Sequence, residues 1–510
     1  MRKLEVVLGI DVGTSGTKVI AVDAHGDVQS SASANYEMDV PRIGYAEQHP
    51  DLWWDATVQG VQEVVAALNR KGVDYSVESI SFSGQMHGLV VLDGDGRPLR
   101  PSIIWCDVRT IDEAAWLEQV VGRDRIIEWT SNPPLPNFTV TKLLWVKEHE
   151  PEVYRRIAHV MLPKDYVRYK MTGNVHTEVT DGSGTLLLDV GKREWSTQLC
   201  QALSVPSSWL PNVVESSTIC GYLTEEVART LGLQPGIPVV AGAGDQAAGA
   251  LGAGVRRQGQ VSMVLGTSGV VLTPTKRPLV DPSGALHSFC HAMPDMWFLM
   301  GVTQAAGGSL EWYRETFDAA TEATGEHEDA FHVLLRGAER VVPGSEGLLF
   351  LPYLMGERTP ILDPLARGAW IGLSRRHGQT HLIRALLEGV SLSLKDCWMA
   401  MGKQGVTATE WLVSGGGANS RLWVEILSAC VDRSLEVVQA RYGPALGAAM
   451  IASEGVGFGH RRDGVLTWGK PGDKVQGPSD WSPKYERLYE LYRSAYVQLK
   501  GVFNALSYEI

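Results

Sequence analysis

The tetrapeptide Gly-Thr-Ser-Gly occurs twice in this chain, each time between two largely aliphatic runs. The first copy, Gly13-Thr-Ser-Gly16, follows Val6-Val-Leu-Gly-Ile10 and precedes Lys18-Val-Ile-Ala-Val-Asp23. The second, Gly266-Thr-Ser-Gly269, follows Gln260-Val-Ser-Met-Val-Leu265 and precedes Val270-Val-Leu-Thr273. A strand, a glycine-rich turn and a second strand make a hairpin. Two copies about half a chain apart predict two related domains, each opening with the same hairpin. The length of 510 residues agrees, because one hydrophobic core stops growing near about 250–300 residues. Between the copies, Trp54, Val58, Val61, Val65 and Leu68 recur at helical spacing and predict an amphipathic helix over 51–68. Short apolar runs at 79–83, 237–241 and 411–413 read as buried strands, each ending in a glycine-rich segment. The pattern is α/β. With no Pro/Ser-rich linker near Arg256–Gln260, the expected domains are 1–256 and 257–510, joined by a hinge.

Charge and cysteine usage narrow the function. Lys and Arg total 46 against 58 Asp and Glu, a formal net charge of −12. That balance argues against a nucleic-acid binder, which needs clustered cations to neutralise phosphates. Six cysteines without a CxxC pair read as reduced thiols. Asp11 interrupts the opening apolar run before a signal-peptide core is complete, and no run reaches the roughly 18 apolar residues of a membrane span. A soluble cytoplasmic protein is expected.

Four segments carry chemistry. In Asp11-Val-Gly-Thr-Ser-Gly-Thr-Lys18, successive backbone N–H groups and the hydroxyls of Thr14 and Ser15 suit a phosphate, and Asp11 at the strand end suits a hydrated Mg²⁺. One copy reads equally well as a plain hairpin turn; the second shifts the weight to phosphate binding. Gly242-Ala-Gly-Asp-Gln-Ala-Ala-Gly249 loosely fits the dinucleotide pattern G-x-G-x-x-A and so admits an NAD(P)-dependent oxidoreductase. Against that reading, Asp245 would face a pyrophosphate, and no Asp or Glu stands between Asp245 and Asp281 to hold a ribose. Arg256 is the one residue placed to serve a 2′-phosphate instead. Asp245 reads better as a base for a substrate hydroxyl, or simply as a helix N-cap. Ser414-Gly-Gly-Gly-Ala-Asn419 leaves a side-chain-free surface for a flat ring such as adenine, with Asn419 as polar partner, or else a tight packing turn. Gln85-Met-His87 offers polar groups and an apolar wall for sugar hydroxyls, although a lone His is more often structural. Other signals fall away. Asp93-Gly-Asp-Gly96 resembles an EF-hand opening, but Ile104 stands where the closing Glu belongs. His287, Cys290 and His291 lack a second ligand pair for zinc. There is neither a P-loop nor a protein-kinase catalytic loop.

Taken together, Gly9-Ile-Asp-Val-Gly-Thr-Ser-Gly16, Trp105-Cys-Asp-Val-Arg109, Gly242-Ala-Gly-Asp245, Leu265-Gly-Thr-Ser-Gly269 and Ser414-Gly-Gly-Gly-Ala-Asn419 resemble, in order, the motifs of the FGGY carbohydrate kinases. The resemblance implies the two-domain actin/hexokinase/Hsp70-like (ribonuclease H-like) fold with a ligand cleft between the domains. Gln85-Met-His-Gly88, Leu162-Pro-Lys-Asp-Tyr166, His287-Ser-Phe-Cys-His-Ala292 and Gly356-Glu-Arg-Thr-Pro360 resemble the members that phosphorylate D-xylulose to D-xylulose 5-phosphate. D-ribulose, L-xylulose or a glycerol-like polyol are the alternatives.

By that resemblance Asp245 is the base for the 5-hydroxyl and Asp11 supports Mg²⁺ and the phosphates. Gln85, Met86, His87 and Gln246 contact the sugar, while Thr14, Ser15, Gly266, Thr267, Gly307, Gly415, Gly416 and Asn419 handle ATP. The expected partners are the sugar and ATP, not nucleic acid or membrane, with a homodimer left open. Three departures from the family pattern stand out: Gln246 where many relatives carry Asn, Thr130-Ser-Asn-Pro-Pro-Leu-Pro136 in place of a glycine-containing turn, and Arg441-Tyr-Gly-Pro444 where relatives often have an acidic residue. A nucleotide-driven ATPase without a sugar substrate shares the fold and stays on the table.

Overall fold

Two seven-stranded sheets organise the molecule, seen here in a computed structural model that describes residues 3–317, 335–438, 442–462, 465–466, 468 and 472–508. Arg441 lies outside the described residues. The first sheet contains β1 (Leu4–Val12), β2 (Gly16–Asp23), β3 (Val28–Asn35), β4 (Tyr75–Gly84), β5 (Ile219–Tyr222), β6 (Pro238–Val240) and β7 (Ala243–Gly244). Its order is β5-β6-β4-β1-β2-β3, with β7 also on β4. β1, β2 and β3 run antiparallel, whereas β4 joins β1 in parallel.

The second sheet repeats this plan. It is built from β8 (Gln260–Leu265), β9 (Gly269–Thr275), β10 (His287–Cys290), β11 (Trp297–Thr303), β12 (Glu410–Ser414), β13 (Leu435–Val437) and β14 (Asp473–Val475), in the order β10-β11-β9-β8-β12-β13-β14. Here β8, β9 and β11 are antiparallel and β12 joins β8 in parallel. Each Gly-Thr-Ser-Gly turn therefore links the first two strands of its sheet, as the sequence repeat predicts. The whole is the two-lobed α/β architecture implied by the resemblance.

The helix expected over 51–68 runs over Pro50–Arg70. Pro50 opens it and the His49 side chain accepts from the Asp51 N–H, which suits a first turn with spare donors. Trp53, Val61, Val64 and Leu68 are fully buried against the first sheet. Cys106 is half-buried, the other five cysteines are buried, and all six are free thiols.

One element crosses the division expected after residue 256. The helix Gly443–Val456, late in the chain, packs on β1, β4 and the helix Asp245–Gly252 of the first domain. Small residues make this contact so close that a Cβ on Gly447 would stand 1.8 Å from the Ala248 carbonyl. The later half of the chain thus lends a helix to the lobe built on the first sheet. No helix among the described residues is long and apolar enough to cross a membrane.

Candidate active site

Parallel pairing places two carboxylates at one edge of the first sheet. Asp11 lies opposite Ser83 at the end of β4, and on the other side Ala243 and Gly244 lie opposite Ser83 and Gly84. Asp245 follows directly, as the first residue of the helix Asp245–Gly252. Asp11 and Asp245 thus flank the same strand end, about two strand spacings or roughly 10 Å apart along the backbone. Their surroundings disfavour charge. Burial raises the Asp245 pKa to about 7, with the Asp11 charge adding to the rise. Burial likewise raises Asp11 to about 6, partly offset by Ser83 and Lys18. One Asp11 oxygen, Oδ1, is buried with no hydrogen-bond partner. A buried carboxylate oxygen without a partner is a hard donor that fits a divalent cation.

The sugar-side candidates sit at the end of β4. His87 has φ 68°, a left-handed conformation unusual for a residue with a Cβ, and its carbonyl accepts from the buried Lys142 Nζ at 2.7 Å. His87 Nδ1 lies 2.7 Å from the Gly184 carbonyl; since a carbonyl only accepts, Nδ1 carries the proton and Nε2 keeps its lone pair. Burial, reinforced by Lys142, lowers the His87 pKa to about 3, so the ring is neutral near pH 7. Met86 is buried, and a Cβ on Gly244 would come within 2.9 Å of its Cγ, which places it against the Asp245 turn. Gln246 donates from Nε2 to Asp245 Oδ1 at 3.3 Å. Gln85 serves differently. Its amide donates to the Gly13 carbonyl at 3.2 Å and to Gln48 Oε1 at 2.9 Å, and its Oε1 accepts from Thr14 at 3.4 Å. Its side chain is committed to bracing the first turn.

On the nucleotide side, Thr14 Oγ1 also accepts from Trp105 Nε1 at 2.9 Å, and Ser15 is exposed. The second turn is gripped by the segment that follows β11. Gly307 N donates to the Gly266 carbonyl at 2.7 Å, and Ala306 N and Gly308 N donate to Thr267 at 2.9 and 3.0 Å. Gly307 therefore contributes close approach, its own N–H being already spent. Gly415, at φ 91°, comes so near the Leu265 carbonyl that a Cβ would stand 2.5 Å away. Gly416 and Asn419 are exposed beyond it, with open space where a Cβ of Gly416 would be. Gly266, Thr267, Gly307, Gly415, Gly416 and Asn419 are thus brought to one edge of the second sheet.

Sequence reasoning missed the support behind Asp245. Lys164 Nζ is fully buried, 2.7 Å from Asp165 Oδ1 and 3.2 Å from both Glu178 Oε1 and Asp181 Oδ2. Arg168 adds a second cation on Asp165 at 2.8 Å. Burial drives Asp181 well above the ordinary carboxyl range, so a proton on Asp181 leaves two cations facing two anions. Glu178 in turn accepts from the Thr180 N–H and hydroxyl at 2.7 and 2.9 Å, and Thr180 Oγ1 accepts from Gly244 N at 2.8 Å. The chain of bonds ends at the peptide next to Asp245. The adjacent Lys and Asp of Leu162-Pro-Lys-Asp-Tyr166 were the only signal, and nothing in the sequence tells that a surface-type pair is buried.

Comparison with known proteins agrees with the fold. Residues 6–252 match the N-terminal domain, and residues 261–454 the C-terminal domain, of the FGGY family of carbohydrate kinases. The xylulose kinase of Bacillus subtilis (strain 168) is 37% identical over 504 residues, covering 99% of both chains. The xylulose kinase of Escherichia coli (strain K12) is 40% identical over 446 residues, covering 87% of this chain and 89% of its own. The crystal structure of xylulose kinase from Rhodospirillum rubrum superposes with a TM-score of 0.90 at 30% identity, covering 98% of this chain and 100% of that one. With both family domains matched in order and full-length relatives of the same fold, this chain belongs to the FGGY family of carbohydrate kinases.

Proposed function

We propose that this sugar kinase transfers the γ-phosphoryl group of ATP to the 5-hydroxyl of D-xylulose, with Asp245 as the base. The observation that carries the reading is the place of Asp245, directly after Gly244 on the opposite side of the β4 end from Asp11 and against Met86, where burial lifts its carboxyl to about 7. A base with a pKa near the working pH combines a useful ionised fraction with real proton affinity. Relatives of this length and identity that act on xylulose support the substrate.

The chain's part is mainly positioning. His87 Nε2 accepts from a sugar hydroxyl while Met86 lies along the carbon skeleton. As the 5-oxygen bonds to phosphorus and the bond to the ADP oxygen breaks, the hydroxyl proton passes to Asp245. The two Gly-Thr-Ser-Gly turns hold the phosphates, and the glycine surface at 415–416 with Asn419 receives the nucleotide base. Asp11 would hold Mg²⁺ through Oδ1; when bound, the ion neutralises charge on the phosphates. Closure of the lobes keeps out water, which otherwise competes as phosphoryl acceptor.

A coupled ADP-release assay over ketoses, polyols and glycerol tests the substrate. D-xylulose should give the highest kcat/KM. Preference for D-ribulose or a polyol would move the assignment to that substrate, and ADP release indifferent to every sugar would refute the kinase reading of this cleft.

A further inference from the structure

Two segments singled out in the sequence have no part in the site described so far: His287-Ser-Phe-Cys-His-Ala292 and Gly356-Glu-Arg-Thr-Pro360. The fold joins them. Thr359 Oγ1 donates to the Ala285 carbonyl at 2.7 Å, Thr359 N donates to Val302 O at 3.0 Å, and Val302 N donates to Thr359 Oγ1 at 3.1 Å. Arg358 is thereby fixed beside β10 and β11. The same strand is docked on the first domain. Asn132 Nδ2 donates to Ser288 O at 2.8 Å and its Oδ1 accepts from Ser288 N at 3.1 Å, while Cys290 N donates to Ser183 Oγ at 3.1 Å.

This docking brings His287 to His87. Both rings pack on Phe138, at 6.0 and 5.0 Å between centroids. Both also meet Phe289, which lies stacked on His287 at 5.6 Å and tilted to His87 at 6.3 Å. His287 is 4% exposed, and its Nδ1 is buried without a partner. Arg358 is equally unspent: among the described residues its guanidinium makes no hydrogen bond or ion pair. Its neighbour Glu357 is saturated, accepting from Thr303 Oγ1, Gln304 N, Arg358 N and Ser393 Oγ. A buried polar atom without a partner, as at His287 Nδ1, is costly unless something else satisfies it, whereas Arg358 is half-buried and keeps its charge available at the pocket. The Arg358 charge lies near enough to both imidazoles to hold their pKa values down, behind the larger effect of burial.

We infer that Arg358 and His287 form the second domain's half of the sugar site, binding the oxygens at the end of the ketose remote from the phosphorylated hydroxyl, its C1 hydroxyl and C2 carbonyl. This rests on the D-xylulose reading above. It also makes sugar recognition a property of both lobes together.

The test compares wild type with Arg358→Gln, Arg358→Lys and His287→Gln on three acceptors: D-xylulose, 1-deoxy-D-xylulose (no O1) and xylitol (no carbonyl). Arg358→Gln should raise the KM for D-xylulose about 10- to 100-fold, the range for losing a charged hydrogen bond. The ATP KM should stay within about twofold, because a ligand contact changes the KM of its own ligand. Arg358→Lys should recover part of the loss, and the penalty should shrink on whichever analogue lacks the contacted oxygen. Should Arg358→Gln lose its cooperative unfolding transition, Arg358→Lys and His287→Gln carry the same comparison. An unchanged sugar KM in folded variants, or an equal penalty on all three acceptors, overturns the inference while leaving D-xylulose as substrate. A wild-type preference for a five-carbon aldonate also overturns it, since the guanidinium would then pair with a carboxylate. A wild-type enzyme that ignores every ketose fails the earlier reading instead, which separates the two outcomes.

Discussion

Replacing Asp245 by Asn should destroy turnover and stabilise the ligand-free protein. The carboxyl has an ordinary pKa of 3.8 when free in the chain and about 7 in the folded state, raised first by burial and then by the Asp11 charge. Between those values the native state holds a proton that the unfolded chain has released, so stability falls as pH rises from about 4 to 7 and levels off above. Three units at 1.36 kcal/mol each set a ceiling of about 4 kcal/mol. The cleft side of Asp245 is open to solvent, so relaxation brings the expected cost into the range of about 2–4 kcal/mol. An isosteric amide removes the charge and recovers that cost, in keeping with the strain that working sites carry. Urea unfolding of wild type and Asp245→Asn should therefore give matching midpoints at pH 4 and a clearly higher one for the variant at pH 8. In the ADP-release assay kcat should fall about 10²- to 10⁴-fold, the usual contribution of a general base, with sugar binding retained. A stability difference that does not change with pH, or a variant less stable at pH 8, would refute the claim that this carboxylate is held against its charge. An active variant would remove Asp245 from the role of base.

Asp11→Asn should raise the Mg²⁺ concentration needed for half-maximal rate, and an unchanged metal dependence would count against its assignment. His87→Ala should raise the sugar KM far more than the ATP KM; the reverse would relocate the sugar site. Because burial keeps His87 neutral, with a pKa near 3, the contribution of this ring to sugar binding should be level from pH 5 to 8. Thr180→Val leaves the Gly244 N–H without its acceptor, a loss of about 1–3 kcal/mol for an orphaned buried donor. It should lower kcat while leaving both KM values near wild type, and a change confined to KM would argue against a positioning role.

Much of this was legible in the chain. The repeated Gly-Thr-Ser-Gly turn gave two lobes with one plan, because hairpin signals are local: apolar alternation and turn glycines act within a few residues. Asp11, Asp245 and the 414–419 segment were readable for the same reason, each standing where a short buried strand ends and a helix or turn begins. Gln85 was legible as a polar group at a strand end but not in direction, since which way an amide turns depends on partners such as Gln48 and Gly13 that only packing supplies. The sequence alone, then, determined the element types, the duplication and the carboxylates available for chemistry. Tertiary structure decided which distant groups meet: His87 with His287 around Phe138, Lys164 within a nest of buried carboxylates, and the late helix Gly443–Val456 against the first sheet. Burial sets the charge state of those groups, and burial is decided by how whole elements pack on one another, so no local pattern could record it.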